Sequence, residues 1–200
     1  MKKIVFDLGN VLMTFSPDDF LKDLFKSELT RQKCKEVYFQ GLWNEYDRGY
    51  LSPSEMIEKG CNQYPECKED FTLMMLNWFR YVQPIESSVK LVESLRKKGY
   101  DLYILSNIPK DCYEYLCQNV TGFKDLKGVY SYQEKYIKPE KEIYEIFLNR
   151  YHLQAKDCLF IDDRIDNIQQ AKQMGFQTIH CTDYAKLPVW LERKINEENY

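Results

Sequence analysis

One arrangement recurs along the chain: a short apolar run, β-branched or aromatic, that stops abruptly at charged or hydrogen-bonding side chains. Near the start, KKIVFDLGNVL carries Ile4-Val5-Phe6 straight into Asp7. Farther on, YDLYILSN ends in Ser106-Asn107 and CLFIDD ends in Asp162-Asp163. Each run is too short for a helix and reads as a buried parallel strand. Amphipathic stretches separate them: Glu86 to Lys98, Asp111 to Asn119, Lys141 to Tyr151, and 166–174. Gly99 and Gly175 follow two of these stretches, where a residue without a side chain suits a helix C-cap. A short strand near Gly128 to Ser131 and a last one, QTIHC, complete the pattern. Strands alternating with helices imply an α/β fold built on a doubly wound parallel sheet.

Residues 15 to 84 break the alternation. They hold no convincing strand and read as helices at about 17–27, 30–40, 53–62 and 67–81, with turns near Gly41, at Asp47-Arg48-Gly49 and near Pro65. A strand-to-helix connection normally takes a few residues. The segment therefore reads as an inserted α-helical cap, 15–84, on a Rossmann-like core made of 1–14 and 85–200. An insertion at the ligand-facing end of the first strand is positioned to act as a lid. The apolar side chains of MMLNWF read as the insertion's own core.

Composition narrows the function. Two hundred residues with 44% hydrophobic content suffice for one substantial core and a smaller subdomain. A formal net charge of -3 argues against a nucleic-acid or membrane-surface footprint. With no signal-peptide pattern and no apolar run near membrane-span length, a cytoplasmic location is expected. Seven cysteines without zinc-site spacing suggest free thiols in a reducing compartment. His152 and His180 read as structural or surface residues. The sequence leaves the oligomeric state open.

In open α/β sheets, ligands bind in the crevice beyond the carboxyl ends of the strands. If the strands are neighbours, four stations face one crevice: Asp7, Ser106-Asn107, Lys138 and Asp162-Asp163. Asp7 and one of the paired acids can share Mg2+, a hard cation that typically takes one or two carboxylates plus substrate phosphate. Carboxylates gathered without a cation raise each other's pKa, and Lys138 with Mg2+ supplies the compensation. A hydroxyl at Ser106, an amide at Asn107 and the ammonium of Lys138 suit the oxygens of a transferring phosphoryl group. An ionised Asp7 can attack phosphorus to give an aspartyl-phosphate that water later opens.

In this order, VFDLGNV, YILSN, YIKPEKEIY and LFIDDRIDNI resemble the haloacid dehalogenase (HAD) superfamily, in particular its phosphatases with a helical cap after the first strand. The resemblance implies that Asp7 is the nucleophile and a Mg2+ ligand, and that the Gly9 carbonyl is a second ligand. It makes Ser106 and Asn107 substrate-binding, and Lys138 the catalytic cation that neutralises phosphate and Asp7. Alignment by the spacing to Asn167 makes Asp163 the direct metal ligand and Asp162, with Asn167, an outer-shell group. Asp166 then falls on the helix surface and Arg164 is a helix-start charge. The expected substrate is a small phosphorylated metabolite.

The pattern breaks at Gly9, where most phosphatases of the superfamily carry an Asp that serves as general acid and base. The FDLGNV form resembles sugar-phosphate phosphatases that act on glucose 1-phosphate. An anomeric leaving group is more acidic than an ordinary alcohol and needs less protonation, so a sugar phosphate, anomeric ones included, is the favoured substrate. Asp18, Asp19 or Asp47 is a conceivable replacement acid, although such residues more commonly cap helices or sit in turns. In the turn EYDRGY, Arg48 is a candidate for meeting an anionic substrate, and Tyr46 or Trp43 for stacking on a sugar ring. The alternatives are a weak or inactive HAD protein that binds a phosphorylated ligand or a protein partner, and a haloacid dehalogenase, for which the acids of DDRIDN have no use.

Overall fold

The computed structural model describes residues 3–197. Strand β1 (Lys3–Phe6) opens the chain, and no second strand forms for almost a hundred residues. Helices α1 (Pro17–Leu24), α2 (Glu28–Cys34), α3 (Trp43–Asp47), α4 (Pro53–Gln63) and α5 (Lys68–Met75) fill the interval, with 3₁₀ turns at Pro65–Cys67 and Trp78–Tyr81. Then α6 (Glu86–Lys97), β2 (Asp101–Ser106), α7 (Lys110–Asn119), β3 (Lys127–Tyr130), α8 (Ser131–Glu134), α9 (Lys141–Arg150), β4 (Cys158–Asp162), α10 (Ile165–Gln173), β5 (Gln177–His180) and α11 (Leu187–Glu197) alternate.

Among the described residues five strands form one parallel sheet, in the order β3-β2-β1-β4-β5. β1 therefore lies in the middle, and its side chains alternate between two faces. Ile4 and Phe6 join the core under α6, α7 and α11, while Val5 joins the one under α9 and α10. The first of these cores runs on without a break into the helices of 17–81 through Phe20, Tyr38, Phe71 and Trp78. From MMLNWF, Met74, Met75 and Trp78 are buried.

The turn expected near Gly41 does not form. Instead α2 continues as a π-helical stretch, Lys35–Leu42, directly into α3. A widened turn takes up the residues that would otherwise break the helix, and such insertions turn the downstream face without interrupting the backbone. The turn after Asp47 is present, with Gly49 at a φ of 69°. Here a β-carbon would lie 2.8 Å from the Tyr132 carbonyl oxygen, so a side chain is excluded by both conformation and space. Among the described residues, no helix is long and apolar enough to cross a membrane.

Gly60 in α4 shows how tightly the helical segment packs. A β-carbon there would lie 2.6 Å from the Tyr38 hydroxyl and 2.8 Å from the Phe71 ring. Alanine in place of a helical glycine is ordinarily worth ~1 kcal/mol, whereas overpacking a core costs ~1–3 kcal/mol. Tyr38 and Phe71 are both fully buried and have nowhere to swing. At contacts this short the clash wins. Gly60→Ala should lower the melting temperature by several degrees, at ~2–4 °C per kcal/mol for a chain of this size. A rise, the normal outcome for an exposed helical glycine, would contradict this packing.

Candidate active site

The parallel register carries the strand ends to one edge of the sheet. Asp7 follows β1 directly, and its N–H donates to the Ile161 carbonyl of β4 at 2.9 Å. Ser106 ends β2 and Asp162 ends β4, one on each side of it. Asp7, Gly9, Ser106, Asn107, Lys138 and Asp163 line the floor of a cavity of about 260 Å3.

Lys138 organises this floor. Its ammonium lies 2.8 Å from Asp7 Oδ1 and 2.6 Å from Asp162 Oδ2, and the residue is only 2% exposed. Burial alone would push the ammonium pKa down, but Asp162 and Asp7 outweigh it and hold the proton more firmly than usual. Asn107 grips the backbone of Lys138 from both sides: its Nδ2 donates to the Lys138 carbonyl at 2.9 Å, and its Oδ1 accepts from the Lys138 N–H at 2.7 Å. Asn107 thus positions the lysine, while the hydroxyl of Ser106, buried beside it, makes only a long contact of 3.3 Å to the Asn107 carbonyl among the described residues.

The two paired acids differ in what they have left to offer. Asp162 is fully buried and accepts from Lys138, from the Arg164 N–H at 2.8 Å, and from Asn167 Nδ2 at 2.9 and 3.0 Å. Both of its oxygens are engaged. Asp163 is half-buried, and among the described residues only its Oδ2 is held, by Asn10 Nδ2 at 3.0 Å. Asn10 sits at a φ of 52°, a conformation asparagine tolerates, and its Oδ1 accepts from the Phe15 N–H at 3.1 Å. The sequence reading missed this residue, although Gly-Asn two residues after Asp7 signals a left-handed turn.

Carboxylate oxygens of Asp7, Asp162 and Asp163 lie within 4.8 Å of one another. Burial pushes the Asp7 carboxyl up to about 7, opposed by Lys138 and reinforced by Asp162 and Asp163. Asp163 is also raised, chiefly by burial. Three acids against one ammonium leave an excess of negative charge that a divalent cation would relieve. Two further features fit such an ion: the Gly9 carbonyl receives no hydrogen bond among the described residues, and Asn167 Oδ1 is a buried acceptor without a donor. All-oxygen donors of this kind suit Mg2+.

The roof comes from the helical segment: Phe15, Phe39, Trp43, Asp47 and Trp78 line it. Trp43 packs among Phe39 and Trp78, with ring centroids 4.4 and 4.9 Å away. Arg48 is not part of this wall, contrary to the sequence expectation. Its guanidinium grips Glu140, with Nη1 2.7 Å from Oε2, and also donates to the Lys135 carbonyl at 3.2 Å. A planar fork with a carboxylate in reach forms this bidentate pair in preference to facing a cavity. Tyr46 is buried too, with its hydroxyl on Asp111. Asp18 pairs with Lys35 on the surface, and Asp19 and Asp166 are exposed.

The sequence matches the haloacid dehalogenase-like hydrolase family over residues 1–175. The chain belongs to that family. It is 22% identical over 183 residues to the sesquiterpene phosphatase astK of Aspergillus oryzae, covering 91% of this chain and 90% of that protein. It is 26% identical over 191 residues to a D-ribitol-5-phosphate phosphatase of Bacteroides thetaiotaomicron, covering 89% and 90%. The fold resembles that of a HAD family enzyme of Bacteroides thetaiotaomicron crystallised with magnesium and inorganic phosphate, with a TM-score of 0.74, 23% identity, and coverage of 90% of this chain and 93% of that one.

Removing the central ammonium tests the electrostatics of the floor. Breaking a buried pair from one side costs ~3–5 kcal/mol because the remaining charge is left uncompensated. In Lys138→Met the acids gain relief only by protonation, so the folded state of the variant holds protons to higher pH than the parent. Its stability deficit, followed by thermal unfolding without divalent cations, should widen as the pH rises from about 4 to 7. A deficit independent of pH would mean that Lys138 matters for packing alone.

Proposed function

We propose that the protein is a Mg2+-dependent phosphatase that hydrolyses small phosphorylated metabolites through an aspartyl-phosphate on Asp7. The observation that carries this reading is the buried ammonium of Lys138 joined at once to Asp7 and Asp162 at the floor of the cavity. Asp7 is the nucleophile, held by Lys138 with one carboxylate oxygen toward the ammonium and lining the cavity. Ser106, whose hydroxyl has no strong partner of its own, receives a phosphate oxygen. Asn107 acts through its hold on Lys138. Asp7, the Gly9 carbonyl and Asp163 would hold Mg2+, and Asp162 with Asn167 would support them from behind. When bound, the ion would offset the charge of the carboxylates and of the phosphoryl group. The segment 15–84 serves as the cap over a core of 1–14 and 85–200, closing the cavity from above.

The relatives named as phosphatases support the reaction class, and they differ in the organic half of the ester. A sugar or polyol phosphate fits the half-buried face of Trp43 and has a counterpart in the ribitol-5-phosphate phosphatase. A second reading, an apolar organic phosphate, is favoured by a roof in which Phe15, Phe39, Trp43 and Trp78 outnumber hydrogen-bonding groups, and it has a counterpart in the sesquiterpene phosphatase. Hydrolysis rates on matched sugar, polyol and isoprenoid phosphates separate the two.

Asp7→Asn should abolish turnover with the fold intact, since it removes the charge with almost no change of shape. Chelation should remove activity, and Asp163→Ala should weaken Mg2+ binding far more than Asp166→Ala, by calorimetric titration. Retained Mg2+-dependent activity in Asp7→Asn would overturn the nucleophile, and the opposite order of affinities would overturn the metal assignment.

A further inference from the structure

Four consecutive residues of the cap, 46 to 49, are tied to the core. The Tyr46 hydroxyl donates to Asp111, the Asp47 carbonyl accepts from the buried Ser131 hydroxyl at 2.6 Å, Arg48 holds Glu140, and the Gly49 carbonyl accepts from Lys135 Nζ at 2.8 Å. One polar group on this turn is left over. The Asp47 carboxylate makes no hydrogen bond or ion pair among the described residues, although the residue is 7% exposed, and it lines the same cavity as Asp7. A turn fastened at every residue thus delivers one untied acid toward the nucleophile from above.

Gly9 supplies the complementary observation. Its backbone is unremarkable, and a β-carbon there would meet only Phe15 Cβ at an ordinary 3.7 Å. Space is not what keeps a side chain out. The position has no carboxylate, while a carboxylate with no structural partner enters the cavity from the cap.

We propose that Asp47 is the proton donor for the leaving group and then the base for water, in the place that Gly9 leaves without an acid. This rests on the reading of the protein as a phosphatase that works through Asp7. In the first step an Asp7 oxygen bonds to phosphorus as the bond from phosphorus to the ester oxygen breaks. The departing oxygen takes the proton from Asp47, and an alcohol leaves. In the second step water attacks phosphorus, its proton passes to Asp47, and the bond from phosphorus to Asp7 breaks. Both carboxyl groups are restored and inorganic phosphate is released.

The surroundings suit an acid that holds its proton at neutral pH. Burial pushes the Asp47 carboxyl up to about 8; Asp7 adds to the shift, Arg164 and Lys138 oppose it, and Asp111 adds a smaller push. Between the ordinary carboxyl range and about 8, the folded chain keeps a proton that the unfolded chain has released. Stability therefore falls as pH rises through that window. Asp47→Asn removes this penalty, so its melting temperature should equal the parent's near pH 4 and exceed it increasingly toward pH 8.

The test compares two esters, an alkyl phosphate and 4-nitrophenyl phosphate, in the full chain with Mg2+. In Asp47→Asn, kcat/KM for the alkyl ester should fall ~10²–10⁴-fold, while the aryl ester, whose leaving group barely needs the proton, loses much less. On the aryl ester the variant should release a burst of 4-nitrophenol stoichiometric with enzyme, because the second step still lacks its base. Gly9→Asp added to Asp47→Asn should restore alkyl hydrolysis. An equal loss on both esters without a burst, or no loss on either, overturns the assignment while the phosphatase reading stands. A parent chain that hydrolyses neither ester overturns both.

Discussion

A single buried ammonium holds the site together. Lys138 is almost without solvent and bonds to Asp7 and Asp162, which leave adjacent strands of the sheet. Neither acid nor lysine would tolerate this position alone, since an unpaired buried charge is driven to neutralise. Everything near it is arranged to keep the lysine in place. Asn107 fixes its backbone, and Arg164 and Asn167 fix the orientation of Asp162. The crossing of the chain from one side of β1 to the other brings these groups together, because the strand ends meet where the strand order reverses. With three carboxylates set against one ammonium, the floor remains short of positive charge. This shortage, rather than any single ligand, is the physical basis for reading a cation and a phosphate into the cavity.

The second organising contact is the docking of the turn at residues 46 to 49. The helical segment shares a continuous apolar core with one face of the sheet, so its attachment does not depend on the turn. The polar ties at Tyr46, Asp47, Arg48 and Gly49 do something else: they fix where one short turn stands relative to the strand ends. Arg48 and Asp47 are neighbours in sequence with opposite tasks. The arginine is spent on Glu140 and serves as an anchor, while the acid beside it is free to face the cavity. Reading the turn from its charges alone assigns the anion-binding role to Arg48, and the geometry exchanges the emphasis.

Much of the molecule is legible in the linear chain. Short apolar runs ending at Asp7, Ser106 and Asp162 read as buried strands, and the amphipathic stretches between them as helices lying over a parallel sheet. That pattern is local, set by side-chain period and by residues such as Gly99 that end a helix, so it survives being read one window at a time. The helix at Leu187–Glu197 and the π-helical passage at Lys35–Leu42 escape such reading. No following strand frames the first, and a widened turn leaves no composition of its own.

What the chain determined by itself is the order of the strand-end groups and the residue types that fill them, including the absence of an acid at position 9. Only the tertiary structure decided how they share the work. Asp162 and Asp163 are the same residue side by side, and burial and partners separate them: among the described residues one has both oxygens saturated by Lys138, Arg164 and Asn167, the other keeps an oxygen open beside Asn10. The sequence favours Arg48 for meeting an anionic substrate, and contacts with residues 87 and 92 positions away turn its guanidinium from the cavity that Asp47 lines. Distance in sequence conceals such contacts because they depend on where the sheet and the helical segment meet, and no local pattern encodes that meeting.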